Sequence, residues 1–253
     1  MRRLVPLALA VFAVPFSSGA VDINPDGIGS PIHYPPPTTI KKPFVAHYAV
    51  SRDGKALGVS TMTLRDEGHD IWSLTSETHG TAGMARLLGL EVVERSQFRW
   101  TADGMPEAQV YDYDQDAAIK SKKRHADFDW RAASAHVAEG KKSYDYPIPA
   151  GTMDRHTVGI ALARKLAAGA NALEVDVATK DHVEHQRFER APETDSVQVP
   201  SGKYDAMRVE RVDVPGKGRS WFVPQQLPVP VRVEQIQGDG ATIVLELTSI
   251  ADD

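Results

Sequence analysis

Between Phe44 and Ile250 apolar and polar side chains trade places at every second position, segment after segment. That period of two limits what the chain can become. A β-strand sends successive side chains to opposite faces, so such a sequence builds a sheet with one buried and one wetted surface. "FVAHYAV" runs through a turn at Asp53-Gly54 into "LGVSTMTL", a hairpin signal. In "ERSQFRW" the phase puts Glu94, Ser96, Phe98 and Trp100 on one face, with Arg95, Gln97 and Arg99 on the other. Toward the end Val229, Val231 and Val233 share a face, as do Ile243, Leu245 and Leu247, and "GDG" at 238–240 joins the two runs as a last hairpin.

Two segments depart from this period. "GTAGMARLLGLEVV" has the glycines and central leucines of a short helical or bulged crossover. "TMDRHTVGIALARKLAAGA" has helical spacing at Val158, Ala161, Leu162 and Leu166. Thr152 or Asp154 can cap its first amides, Arg164 and Lys165 suit its negative end, and Gly169 is placed to stop it. The expected fold is therefore mainly β: about a dozen short strands, mostly antiparallel, with one helix near 154–168. A sheet that large curls, giving an open or incomplete barrel, or folds over as two layers.

The ends of the chain read differently. Arg2 and Arg3 precede the apolar run "LVPLALAVFAVPF", which is too short to span a bilayer, and "SSGA" follows. That order predicts a signal peptide over 1–20, cleaved after Ala20. Residues 21–43 hold six prolines and two glycines without periodicity, which predicts an extended, flexible tether. A single antiparallel β domain is expected over 44–250. No other apolar stretch approaches membrane-spanning length. The chain has no cysteine, which excludes disulfides, a thiol nucleophile, a thiolate metal site and a lipid anchor on cysteine.

Removing Arg2 and Arg3 leaves 27 basic against 34 acidic side chains, a net charge of −7. Such a protein has no overall attraction to nucleic acid. One stretch, "DYDQDAAIKSKKRHADFDW" (112–130), still needs an explanation. Asp112, Asp114 and Asp116 open like a calcium loop, but Ala117 stands at the glycine position and Lys123 at the bidentate glutamate position. Lys120, Lys122, Lys123, Arg124 and His125 form a basic cluster, flanked by Asp127 and Asp129. Strand phase explains more: Tyr111 and Tyr113 on one face, Asp112 and Asp114 on the other, and Ala126, Phe128 and Trp130 together on the returning strand. The acids then pair with the bases across a hairpin whose outer side is charged.

No nucleophile elbow, zinc-protease helix, phosphate loop or dinucleotide fingerprint is present. "PSGKY" (200–204) resembles only the end of a phosphate loop and reads as a β-turn. His182 and His185 in "DHVEH" lie three apart, on opposite faces of a strand. They could share a metal with Asp181 and Glu184 only if that segment were a loop or bulge. His156 and His79 read as surface or satisfied core histidines. No catalytic residue, metal site or cofactor is predicted. The aromatic residues Trp72, Phe98, Trp100, Phe128 and Trp130 fall on inward phases; of the adjacent Trp221 and Phe222, a regular strand turns only one inward. They fill a core, or they line a cavity for an apolar ligand, as in barrels that hold one.

The succession "YAVSRDGKALGVSTMTL", "WSLTSETHGTAGMARLLGLEVVERSQF", "VPSGKYDAMRVERV" and "LPVPVRVEQIQGDGATIVLELTSI" resembles the bacterial exported proteins of domain-of-unknown-function family 3108. The resemblance runs from about Phe44 to Ile250, and its motifs are structural. It implies a periplasmic, mainly β protein of Gram-negative type and carries over no catalytic residues. The expected function is that of a non-enzymatic cell-envelope protein binding a lipid-like ligand, with the seven aromatic residues as cavity lining, or a partner protein. Two alternatives stay open: a metal-dependent hydrolase of envelope polymers, and a purely structural interaction domain with exposed edge strands.

Overall fold

The structure, a computed structural model, describes residues 42–118, 121–214, 216 and 218–252. The expected signal peptide, most of the tether and Lys120 lie outside them. Strands β1 (Phe44–Arg52), β2 (Lys55–Gly68) and β3 (Ile71–Gly80) come first, then a short helix α1 (Gly83–Leu87). Next are β4 (Glu91–Trp100), β5 (Pro106–Asp116), β6 (Lys122–Asp129), β7 (Ser134–Glu139) and β8 (Lys142–Pro147). The two-residue β9 (Met153–Asp154) precedes α2 (Val158–Ala167). The last strands are β10 (Ala172–Ala178), β11 (Val183–Val199), β12 (Gly202–Arg211), β13 (Gly218–Phe222), β14 (Arg232–Ile236) and β15 (Thr242–Asp252).

Among the described residues these fifteen strands form one sheet, ordered β8-β7-β6-β5-β4-β3-β2-β1-β15-β14-β13-β12-β11-β10-β9. Chain neighbours pair antiparallel nearly throughout; β9 alone runs parallel to its partner β10. The first and last strands meet in the middle of the sheet, where β1 pairs with β15. Strands β8 and β9 lie at opposite edges, yet only residues 148–152 separate them in the chain. Laid flat, fifteen strands would hold those edges roughly 65 Å apart, whereas so short a link reaches only about 20 Å. The sheet therefore curls.

It curls without closing. Side chains and single backbone contacts span the seam in place of a ladder. Ala108 N donates to Thr152 O at 3.2 Å, and Tyr146 Oη donates to Thr179 O at 2.8 Å. The open-barrel reading of the alternation is thus what the chain forms.

The helix occupies Val158–Ala167, inside the span expected for it. It starts later because Met153 and Asp154 are drawn into the sheet beside Val177 and Ala178. Asp154 Oδ1 then accepts the amides of His156 and Thr157 at 2.9 and 3.0 Å, shaping the turn that leads in. At the other end Gly169 adopts φ +85°, the left-handed value expected of a terminating glycine. The crossover at "GTAGMARLLGLEVV" contains the short α1. It packs so closely on β3 that a Cβ at Gly80 would lie 2.8 Å from the Ala85 Cβ. "HVEHQRFERA" and "DSVQV" form one strand, β11, instead of two. Its register slips between Arg190 and Thr194, where Pro192 has no N–H to give a ladder.

Two apolar clusters result. The larger lines the inward face of β1–β8 and β13–β15, with Leu64, Leu74, Phe98, Val231 and Leu247 fully buried. The smaller lies beneath α2, where Leu162 and Leu166 meet Leu173, Val175, Val209 and Phe222. Arg164 ties the helix to the β4–β5 turn: its guanidinium lies 4.7 Å over the Trp100 ring, in space that a Cβ at Gly104 would occupy.

Candidate functional site

The inward face is not uniformly apolar. Pairing registers set Ser76 opposite Glu94, Glu94 opposite Tyr113, Tyr113 opposite Arg124, and Arg124 opposite Glu139. Cross-strand partners lie about 5 Å apart, so a transverse row of polar side chains crosses β3 to β7. The neighbouring row reads Leu74, Ser96, Tyr111, Ala126 and Val137. Trp72 and Phe98 pair one step further along, at the apolar end of the same face.

The chain linking the two sheet edges closes over this row. It brings in Asp154, at the end of β9, and Arg155 and His156, between β9 and α2. Arg155 Nε donates to Glu94 Oε1 at 2.8 Å and to Tyr111 Oη at 2.6 Å, and Tyr111 donates to the same Glu94 oxygen at 2.6 Å. The Arg155 guanidinium also lies 4.7 Å over the Tyr113 ring. Ser96 Oγ donates to Asp154 Oδ1 at 2.9 Å and lies 3.1 Å from His156 Nδ1. Ser76 Oγ lies 2.7 Å from His156 Nε2. Glu94, Asp154 and His156 are each only 1% exposed.

Burial sets the protonation of this group. It lowers His156 to about 4, so the imidazole is neutral near pH 7. It pushes Asp154 up to about 7, and the charge of Glu94 adds to the rise, while Ser96 and the Thr157 and His156 amides oppose it. Burial also works to raise Glu94, but Arg155 and the other partners hold it below the ordinary carboxylate range. Glu94 is thus a charged member of an ion pair, whereas Asp154 carries a proton over much of the acid range. Among the described residues, Glu94 Oε2 and Asp154 Oδ2 have no hydrogen-bond partner.

Ser76, His156 and Asp154 are the residue types of a nucleophile–base–orienter set. Ser76 is 2% exposed and its imidazole partner is a weak base, so the arrangement holds the linking segment in place and presents no nucleophile to solvent. The expectation of a surface or satisfied core histidine at position 156 resolves to the second. The convergence of Glu94, Arg155 and Asp154 was not foreseen. Its one sequence signal was a glutamate on the inward phase of "ERSQFRW".

The aromatic residues fall into separate groups. Trp72, Phe98 and Trp100 touch, with ring centroids 6.0 Å (Trp72–Trp100) and 4.9 Å (Phe98–Trp100) apart, both edge-on. Phe128 and Trp130 stack at 6.5 Å, and Trp130 Nε1 donates to Ala108 O. Trp221 belongs to the larger cluster and donates to Asp195 Oδ2, while Phe222 belongs to the smaller cluster beneath α2. Both adjacent side chains are buried, because β13 has apolar packing on each face.

His182 and His185 take separate partners: Asp181 at 2.8 Å, and Asp176 at 3.0 Å. Glu184 turns to Arg211 at 2.8 Å. Among the described residues no group of three or more histidine and carboxylate side chains is placed to hold a metal. The 112–130 hairpin forms with Asp112 opposite His125 and Asp114 opposite Lys123 on its outer side. Its inner side carries Lys122 and Arg124, so the basic cluster of the sequence is divided between the two faces, with Lys123 and His125 outward.

This geometry defines a class: a curved, nearly closed antiparallel β domain whose interior carries a buried polar row. The chain belongs to the family described as "Protein of unknown function (DUF3108)", whose sequence profile matches residues 44–248. A similar solved structure is a "Beta-barrel-like Protein of Domain of Unknown Function DUF1849 from Brucella abortus". It is 12% identical, with a TM-score of 0.50, over 84% of this chain and 98% of that one, a likeness of fold. No curated protein matches this chain. No described helix is long and apolar enough to cross a membrane.

Proposed function

We propose that the protein is exported to the periplasm by its N-terminal leader and acts there as a non-enzymatic cell-envelope protein whose curved sheet holds an amphipathic ligand. One observation carries this reading: the inward face divides along the strands into an aromatic, apolar end at Trp72, Phe98 and Phe128 and a polar row from Ser76 to Glu139. An amphiphile has the same division, and a seam without a ladder gives it a way in. On this reading Trp72, Phe98, Trp100, Phe128, Trp130 and Trp221 repack around the apolar tail, and Phe222 supports them from beneath α2. The test is to express the full chain in a Gram-negative host, recover it by osmotic shock, and weigh it intact by native mass spectrometry. A bound amphiphile supports the reading. Protein absent from the periplasmic fraction, or protein that arrives empty and takes up neither an anionic nor a neutral single-chain detergent monomer, overturns it.

A second reading, docking of another envelope protein, is favoured by the apolar tip formed by Met84 and Leu87 of α1, 61% and 76% exposed. Photo-crosslinking from position 87 in intact cells tests it. One discrete adduct supports docking, and a clean lane counts against it.

A further inference from the structure

The polar row ends in a group that differs from the rest of the interior. Glu139 on β7 accepts Arg124 Nη2 at 2.6 Å and Nε at 2.8 Å, lies 3.2 Å from Lys122 Nζ, and 3.9 Å from Lys180 Nζ. Lys122 and Arg124 belong to the inner side of β6. Lys180 comes from the other half of the sheet, in the turn between β10 and β11. The hydrogen bond from Tyr146 to Thr179 brings that turn against β8. Two tyrosine rings wall the group: Lys122 lies 5.9 Å over Tyr113, and Lys180 lies 5.1 Å over Tyr144.

Three cations therefore share one carboxylate. Of the other carboxylates nearby, Glu94 is taken by Arg155. Asp181, hydrogen-bonded to His182, also acts on Lys180, which is raised first by Tyr144 and then by Glu139 and Asp181. Lys122 is held below the ordinary lysine range, first by burial and then by the positive charge of Arg124. Unlike the Glu94 group, this one reaches solvent: the side chains of Lys122 and Lys180 are 36% and 34% exposed, against 19% for Glu139 and 12% for Arg124. Positive charge in excess, half removed from water, on a chain whose formal net charge is −5, favours a compact dianion.

We propose that Lys122, Arg124 and Lys180, walled by Tyr113 and Tyr144, form a binding site for a phosphate group entering at the seam between β8 and the β10–β11 turn. This deepens the amphiphile reading by placing the polar head of the ligand, and it rests on that reading only for the presence of a tail. Glu139 keeps the three cations in register in the empty site and competes with the incoming phosphate. A merely structural ion cluster would lose stability without Glu139. A binding site gains affinity, because an anionic competitor has been removed.

The experiment titrates the folded protein by calorimetry with inorganic phosphate, with monomeric dodecyl phosphate and with monomeric dodecyl maltoside. It uses the wild type, Lys122→Met/Lys180→Met and Glu139→Gln, each checked for a native circular dichroism spectrum. The expected result is dodecyl phosphate binding that weakens about tenfold or more in the double lysine variant, in line with the loss of charge-assisted contacts. In Glu139→Gln binding tightens, and added salt weakens it in every variant. Inorganic phosphate binding as tightly as dodecyl phosphate supports the anion site and assigns it to free phosphate, which removes the tail and with it the amphiphile reading. Dodecyl maltoside binding without either phosphate keeps the amphiphile reading and overturns the site. Phosphate binding that is indifferent to both lysine substitutions overturns the site as well. Should Glu139→Gln fail to fold, the lysine variants and the salt dependence still decide.

Discussion

Glu94 and Glu139 sit in the same transverse row, both facing inward and both paired with arginine, yet they behave as opposites. Glu94 is sealed beneath the linking segment and has one cation, Arg155, at 2.8 Å. Glu139 lies at the seam, partly wetted, and shares three. The same ion-pair chemistry gives an anchor where water is excluded and an exchangeable cluster where it is not. Desolvation makes a lone buried charge very costly, while solvent takes over a lone charge at the surface.

The sharpest way to break this comparison is to neutralise each glutamate in turn. Glu94→Gln leaves the largely covered Arg155 without its counter-charge and is expected to cost about 3–5 kcal/mol of stability, read as a lower urea midpoint. Combining it with Arg155→Met is expected to recover part of that loss. Glu139→Gln is expected to cost about 1 kcal/mol or less. Equal losses at the two positions would show that the seam is as closed as the interior.

A second test uses pH. Asp154, raised to about 7 in the folded protein, contributes stability that is fully present below its unfolded value of about 4 and fades as pH rises through 7. His156, lowered to about 4, does the reverse: its contribution is present above its unfolded value of about 6.5 and is lost as pH falls through 4. Between pH 4 and 6.5 the two slopes oppose each other, so the wild type is expected to be nearly flat. Asp154→Asn uncovers the histidine, and stability rises with pH over that window. His156→Asn uncovers the aspartate, and stability falls. The check is a series of urea midpoints from pH 4 to 7.5 for the three proteins; variants with slopes of the same sign would refute the assignment.

The smallest effect belongs to the outer side of the same hairpin. Lys123 and Asp114 meet at 2.6 Å with side chains 75% and 45% exposed, so Lys123→Ala is expected to leave the urea midpoint unchanged. A measurable loss there would mean that charge pairing alone, without burial, distinguishes the two faces.

Much of this fold was legible because strand phase is a local property. The alternation in "ERSQFRW" already put Glu94, Ser96 and Phe98 on one side, and the glycine at 169 already ended a helix. The site was not legible in the same way. Strand phase predicts the acids at 112 and 114 opposite the basic residues but not which meets which: the register gives Lys123 to Asp114 and His125 to Asp112. Sliding the register by two positions keeps every side chain on its face yet changes which residues meet. Nothing in "TMDRHTVG" says that its aspartate, arginine and histidine lie under β3, β4 and β5. Those contacts join residues 58 to 80 positions apart.

By itself the amino-acid order determined that this chain makes a large antiparallel sheet with one substantial helix and without cysteine chemistry. Period, turn residues and composition act over a few neighbours and need no partner. Only the tertiary structure decided that the sheet curls to a seam, that a linking segment seals a polar row, and that three cations gather around Glu139. Those outcomes depend on register between strands and on which groups are kept from water, and both are settled by the fold as a whole.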